Sequence, residues 1–324
     1  REEDFDLGNR HDNGHMDLPR MLEGGLDAQV FACWTSPELS DREIMQQTLQ
    51  MIDAVWEQAE RHDDKMAIAL EGGDIKRIAG EGKVAVLLGI EGGHAIQDDL
   101  RLLRTYYRLG VRCMTLTWNN TNNWADSSTD TLKWGGLNEL GVEVVREMDR
   151  LGMIIDCSHV ADSTFYDVLA ATKNPVLISH SCIRALADVP RNVSDGMLRA
   201  LAGNGGVLCV NYFPGFLDKE YFETISVLWN EARAESEKLA AAYGGDRAKA
   251  RREAWYAMRE KAAEIHLPEL ALLVDHIDYA VSIAGIDHVG LGSDFDGISR
   301  TPVGIEDVSK LPAITSELGR LGES

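Results

Sequence analysis

The sequence predicts an α/β fold built on a parallel sheet, and three observations carry that reading. Short apolar runs recur along the 324 residues, at 28–34, 84–91, 112–118, 153–159, 176–180, 207–212 and 288–294. Within each run the hydrophobic residues are continuous rather than alternating, as they are in strands covered on both faces. Between the runs lie amphipathic patterns at helical spacing, the strand–helix alternation of parallel sheets. Alternation alone does not decide whether such a sheet is open or closed.

The helices can be read in order. Ser40 and Glu43 form a capping box ahead of a stripe of Ile44, Leu49, Ile52, Val55, Trp56 and Ala59. Leu137, Leu140, Val144, Val145, Met148 and Leu151 form a second stripe, which Gly152 stops. Ser194 caps a short helix carrying Leu198 and Leu201, and Gly203 is expected to end it. The stretch 218–267 breaks the rhythm: it is charged, rich in Ala, Glu, Lys and Arg, and reads as a helical excursion on the surface. With no Pro/Gly/Ser linker and no repeat, residues 1–324 are expected to form a single domain.

Composition narrows the partners. A formal net charge of -21 argues against nucleic acid and anionic membranes, both of which would repel such a surface. No run approaches the roughly 20 apolar residues of a membrane span. Cys33, Cys113, Cys157, Cys182 and Cys209 lie in or beside apolar runs without CxxC spacing, so they are expected to be buried free thiols. Free thiols favour a cytoplasmic setting, but the compartment stays open, because the N-terminus that would carry a signal is expected to be missing.

The chemistry gathers where the runs end. One run closes in Glu91-Gly92-Gly93-His94, another in Asp156-Cys157-Ser158-His159, a third in Ser179-His180-Ser181, and the last in Ser293-Asp294-Phe295-Asp296-Gly297. In parallel barrels the carboxyl ends of strands carry the functional residues. Imidazole and carboxylate both suit zinc, and a carboxylate can bridge two ions. Each residue also has a plainer use: a histidine bonded into the fold, Glu91 as a helix cap, Asp294 as a turn residue. It is the recurrence at four strand ends that favours a metal site. His62, His266 and His276 sit in helix or loop contexts and are given no role.

Taken in order, Ile90-Glu91-Gly92-Gly93-His94, Asp156-Cys157-Ser158-His159-Val160, Ile178-Ser179-His180-Ser181, Arg191-Asn192-Val193-Ser194-Asp195 and Gly290-Leu291-Gly292-Ser293-Asp294-Phe295-Asp296-Gly297 resemble the motif series of the renal (membrane) dipeptidase family, peptidase family M19. The resemblance covers nearly the whole chain. It implies a distorted (β/α)8 TIM-like barrel with two zinc ions, acting on small dipeptide substrates through a hydroxide held between the ions. It casts Glu91 as the bridging and catalytic carboxylate, with His159 and His180 as metal ligands. Arg191 would bind the substrate carboxylate. Asp294 would bind the substrate amino group or handle protons. A homodimer is also implied.

Two features depart from that pattern. The family's first ligands are a His-x-Asp pair closing the first strand, and His15-Met16-Asp17 has the right spacing. No apolar run precedes it, however, so it is expected to be a decoy; the first strand is expected to be missing, and the chain to be trimmed at both ends. The second departure is Trp118, at a position where many members carry a histidine assigned to the tetrahedral intermediate. Indole has a single N–H and cannot become cationic, so Trp118, as a substrate-binding residue, bears on substrate range. Rival readings are another barrel amidase, lactonase or deaminase, and a non-catalytic relative, for which Trp118 is the support. Dinucleotide binding is disfavoured, because Gly203-Asn204-Gly205-Gly206 precedes a strand rather than following one.

Overall fold

The computed structural model describes residues 5–322. Its strands are β1 (Ala28–Trp34), β2 (Met66–Ile68), β3 (Val84–Glu91), β4 (Val111–Thr115), β5 (Ile154–Asp156), β6 (Leu177–Ser181), β7 (Val207–Asn211) and β8 (Val289–Gly292). The helices that connect them are α1 (Leu18–Glu23), α2 (Asp41–Arg61), α3 (Gly72–Gly80), α4 (Leu100–Arg108), α5 (Glu139–Leu151), α6 (Asp162–Ala171) and α7 (Asp195–Asn204). Between β7 and β8 come α8 (Pro214–Leu217), α9 (Lys219–Ala242), α10 (Arg247–Ala262) and α11 (Leu270–Ala284), and α12 (Leu311–Gly322) follows β8.

Every pairing between these strands is parallel, and the sheet runs β1-β3-β4-β5-β6-β7-β8. Short β2 pairs only with the first residues of β3. The sheet curls as a TIM-like half-barrel, and among the described residues no pairing joins β1 to β8. These two end strands are also poorly covered: β1 is mostly half-buried and Leu291 of β8 is 49% exposed, whereas the apolar residues of β3 are nearly all buried. The opening lies where the sequence expects the first barrel strand.

The local signals explain the elements. Ser40 caps α2 and Glu43 returns the bond to the Ser40 N–H, as the capping box requires. Gly152 ends α5 in the left-handed region at φ 73°. The end of α7 differs from expectation: the helix runs through Gly203 to Asn204, and Gly205, at φ 80°, stops it. Gly203 stays helical because nothing there requires a left-handed turn. Likewise β2 escapes the sequence pattern, since three residues between Lys65 and Ala69 are too few to make an apolar run. The 218–267 excursion is the α9–α10 helical pair, which buries Phe213, Tyr221, Ile225, Ala232, Met258 and Ala262 in a core of its own. Arg300 ties it down by donating to the Ala262 and Ile265 carbonyls.

All five cysteines are free, four of them fully buried and Cys209 partly. Burial pushes the Cys33 and Cys209 thiols up to about 12, so neither is a nucleophile at neutral pH. No described helix is long and apolar enough to cross a membrane.

Candidate metal centre

Three strands deliver one side chain each to a common point. Glu91 is the last residue of β3, His180 lies near the end of β6, and His159 stands in the turn after β5. Glu91 Oε1 lies 3.0 Å from His159 Nε2 and 3.4 Å from His180 Nε2. The two Nε2 atoms are 2.9 Å apart. Among the described residues this is the group whose His, Cys, Asp and Glu donors converge within 4.8 Å.

Tight backbone geometry makes the convergence possible. After Glu91 the chain turns through Gly92 at φ 99° and then Gly93, where a Cβ would stand 2.3 Å from Trp124 and 2.5 Å from the Leu116 carbonyl oxygen. His159 and Asp294 both take left-handed backbone, at φ 69° and φ 57°. Such conformations cost of order 1 kcal/mol or more outside glycine and gather at functional sites.

The donor set fits a cation. The outer nitrogen of each imidazole already has a partner: His159 Nδ1 lies 3.0 Å from Asn119 Oδ1, and His180 Nδ1 lies 2.7 Å from Ser179 Oγ. An amide oxygen only accepts, so His159 carries its proton on Nδ1 and presents its Nε2 lone pair inward. Two nitrogens and a carboxylate oxygen packed this closely repel one another unless a positive charge sits among them. Burial raises the Glu91 carboxyl, but the imidazoles of His159 and His180 packed against it outweigh that and hold Glu91 well below the usual carboxylate range. Burial drives His159 down to about 3, and Arg191 adds to the effect. Burial also works against His180, yet Glu91 and Asp294 face it and raise it overall. The two histidines diverge because His180 alone has Asp294 among its principal neighbours.

Beside these three lie Arg191 and Asp294. Arg191 is 5% exposed and donates from Nη2 to the His180 carbonyl at 3.2 Å and from Nη1 to Ser181 Oγ at 3.3 Å. Its guanidinium stacks over Phe216, and its Nε has no partner. Burial lowers it to about 10, which leaves it cationic at neutral pH. Asp294 accepts from Asn211 Nδ2 at 3.1 Å, and burial raises its carboxyl. Trp118 sits against Trp34, centroids 4.9 Å apart, and 6.5 Å from the His159 ring. Asn211 was not singled out as a site residue by the sequence, although as the last residue of β7 it was open to the strand-end rule.

His15 and Asp17 are committed elsewhere. Asp17 is fully buried, caps α1, and accepts from the Arg20 N–H, Arg20 Nε and the His11 N–H. His15 Nδ1 accepts from the Asp296 N–H at 3.0 Å, and its ring stacks on Phe295. Neither joins the Glu91 cluster.

A model of membrane dipeptidases, peptidase family M19, matches residues 1–324. The chain belongs to this family. It is 35% identical over 317 residues to an uncharacterized dipeptidase of Schizosaccharomyces pombe, a match covering 94% of this chain and 66% of that protein. It is 32% identical over 321 residues to dipeptidase verJ of Clonostachys rogersoniana, covering 96% of this chain and 71% of that one. The chain therefore spans about two thirds of the length of these M19 relatives. Among solved structures it is similar to the probable dipeptidase PvdM of Pseudomonas aeruginosa, with TM-score 0.83 and 29% identity over 98% of this chain and 85% of that chain.

Proposed function

We propose that the protein is a zinc-dependent dipeptidase, cleaving the peptide bond of free dipeptides. The observation that carries this reading is the convergence of Glu91, His159 and His180 next to a buried Arg191. Membership of M19 and the dipeptidase names of its relatives support it. Zinc supplies Lewis acidity, making water a competent nucleophile near neutral pH and polarising a carbonyl oxygen.

The chain's own residues give the selectivity. Arg191 offers a planar, water-poor fork suited to a terminal carboxylate, and its unpartnered Nε leaves hydrogen-bonding capacity for one. Asp294, held by Asn211, receives the free amino group or takes a proton, and its raised carboxyl favours the second use. Arg191 and Asp294 both act on His180 electrostatically, Asp294 raising it and Arg191 lowering it. A cationic Arg191 for a carboxylate and a carboxyl at Asp294 for an amine suit a substrate with a free charge at each end and one peptide bond between them. The described ligands satisfy one ion. A second ion needs ligands beyond the three that converge here.

The test is a substrate panel of free dipeptides, N-acetylated and C-amidated dipeptides, lactones and N-acyl amino acids. Free dipeptides should be turned over and both blocked series should fail. Turnover of lactones or N-acyl amino acids without dipeptides would assign different chemistry to the same centre.

A further inference from the structure

Behind His180 lies a chain of side chains that the proposed reaction does not use. Asp156, at the end of β5, is 1% exposed and lacks a cationic partner in the hydrogen-bond pattern. Four donors satisfy it instead. Its Oδ1 accepts from the Ser158 N–H at 3.0 Å and the Ser179 N–H at 2.9 Å. Its Oδ2 accepts from Thr115 Oγ1 at 2.5 Å and from Ser179 Oγ at 2.6 Å. A carboxylate met by four donors serves here as an acceptor.

That fixes every proton downstream. Ser179 has one hydroxyl hydrogen, and at 2.6 Å from a carboxylate oxygen it points there, since the alternative sets lone pair against lone pair. Ser179 Oγ therefore meets His180 Nδ1 with a lone pair at 2.7 Å, so Nδ1 carries the hydrogen. Ser158 closes the network: its Oγ accepts from the His180 N–H at 2.9 Å and lies 3.2 Å from Ser179 Oγ, to which it donates. The result is a His180 locked with Nε2 free and aimed at Glu91 and His159.

We propose that Asp156 and Ser179 form a positioning relay that sets the tautomer of His180 and thereby strengthens metal binding at the centre. The inference rests on the metal-site reading above. It also separates the two histidines: His159 leans on the neutral amide of Asn119, whereas His180 leans on a hydroxyl polarised by a buried carboxylate. A hydroxyl polarised by a carboxylate accepts the Nδ1 hydrogen more strongly and makes the imidazole a better donor, and losing such an outer partner costs about 10–100-fold in metal affinity.

The experiment pairs two readouts on wild type, Ser179→Ala, Ser179→Thr and Asp156→Asn. Nitrogen-15 spectra of histidine-labelled, metal-free protein at alkaline pH report the tautomer, and competition with a chelator reports zinc affinity. Wild type and Ser179→Thr should hold His180 in the Nδ1–H form. Ser179→Ala should show a mixture of tautomers and bind zinc about 10–100-fold more weakly, with Asp156→Asn shifted the same way. An unchanged tautomer in Ser179→Ala, or a changed tautomer with wild-type zinc affinity, overturns the relay. If wild type binds no zinc at all, the metal-site reading fails, while the tautomer comparison still decides whether Ser179 orients His180.

Discussion

Arg191 Nη2 donates to the main-chain carbonyl of His180 at 3.2 Å, so the buried cation and a metal-centre histidine are held as one unit. The hydrogen bond places the guanidinium beside the centre without using Nε. In the proposed dipeptidase, this fixes the distance between the substrate carboxylate and the scissile bond.

Arg191→Ala should therefore cut kcat/KM for free dipeptides by about 30-fold or more, on the order of 2 kcal/mol, mostly through KM. Arg191→Lys should recover only part of the loss, because an ammonium lacks the planar fork. Steady-state kinetics on one dipeptide decide it, and an unchanged kcat/KM in Arg191→Ala would remove Arg191 from the substrate site.

Trp118 packs on Trp34 and faces His159, which makes it a wall rather than a proton carrier. Trp118→Phe should keep kcat/KM within about threefold, whereas Trp118→Ala, which leaves a void, should raise KM about tenfold. A collapse of kcat in Trp118→Phe would show that the indole N–H takes part in the chemistry.

Gly93 has no room for a side chain: its Cβ would enter Trp124 and the Leu116 carbonyl. Gly93→Ala should destabilise the fold by about 2 kcal/mol or more, as overpacking of a buried turn does. Urea unfolding measures this, and a wild-type midpoint would contradict the packing described for the Glu91 turn.

His276 is fully buried, its Nδ1 accepting from the Ile183 N–H and its Nε2 donating to the Leu217 carbonyl. Burial lowers it from 6.5 to about 4, so the folded protein keeps it neutral. As pH falls below 6.5 the unfolded chain takes up a proton that the folded one refuses, and stability declines until about pH 4. The loss should be on the order of 3 kcal/mol. Urea unfolding of metal-free protein across this window should show a steeper decline for wild type than for His276→Gln.

The parallel sheet was legible because its central strands are covered on both faces and so read as continuous apolar runs, most plainly Val84–Glu91. Met66–Ile68 was not legible, because three residues pairing with one end of a neighbour leave no pattern. At the centre, Glu91, His159 and His180 stood out by residue type at strand ends. Ser179 and Asn211 were given no task, since Ser and Asn are common at strand ends and only the folded contacts give them one. The His15–Asp17 spacing was the opposite case: a ligand-like pattern whose donors are taken up by Asp296 and Arg20.

Metal content tests the central claim most directly. After zinc loading and gel filtration, elemental analysis of residues 1–324 should find one zinc per chain, and Glu91→Gln or His180→Ala should lose it while remaining folded by circular dichroism. Chains that retain no zinc, or variants that retain it undiminished, would contradict a metal centre built on Glu91, His159 and His180.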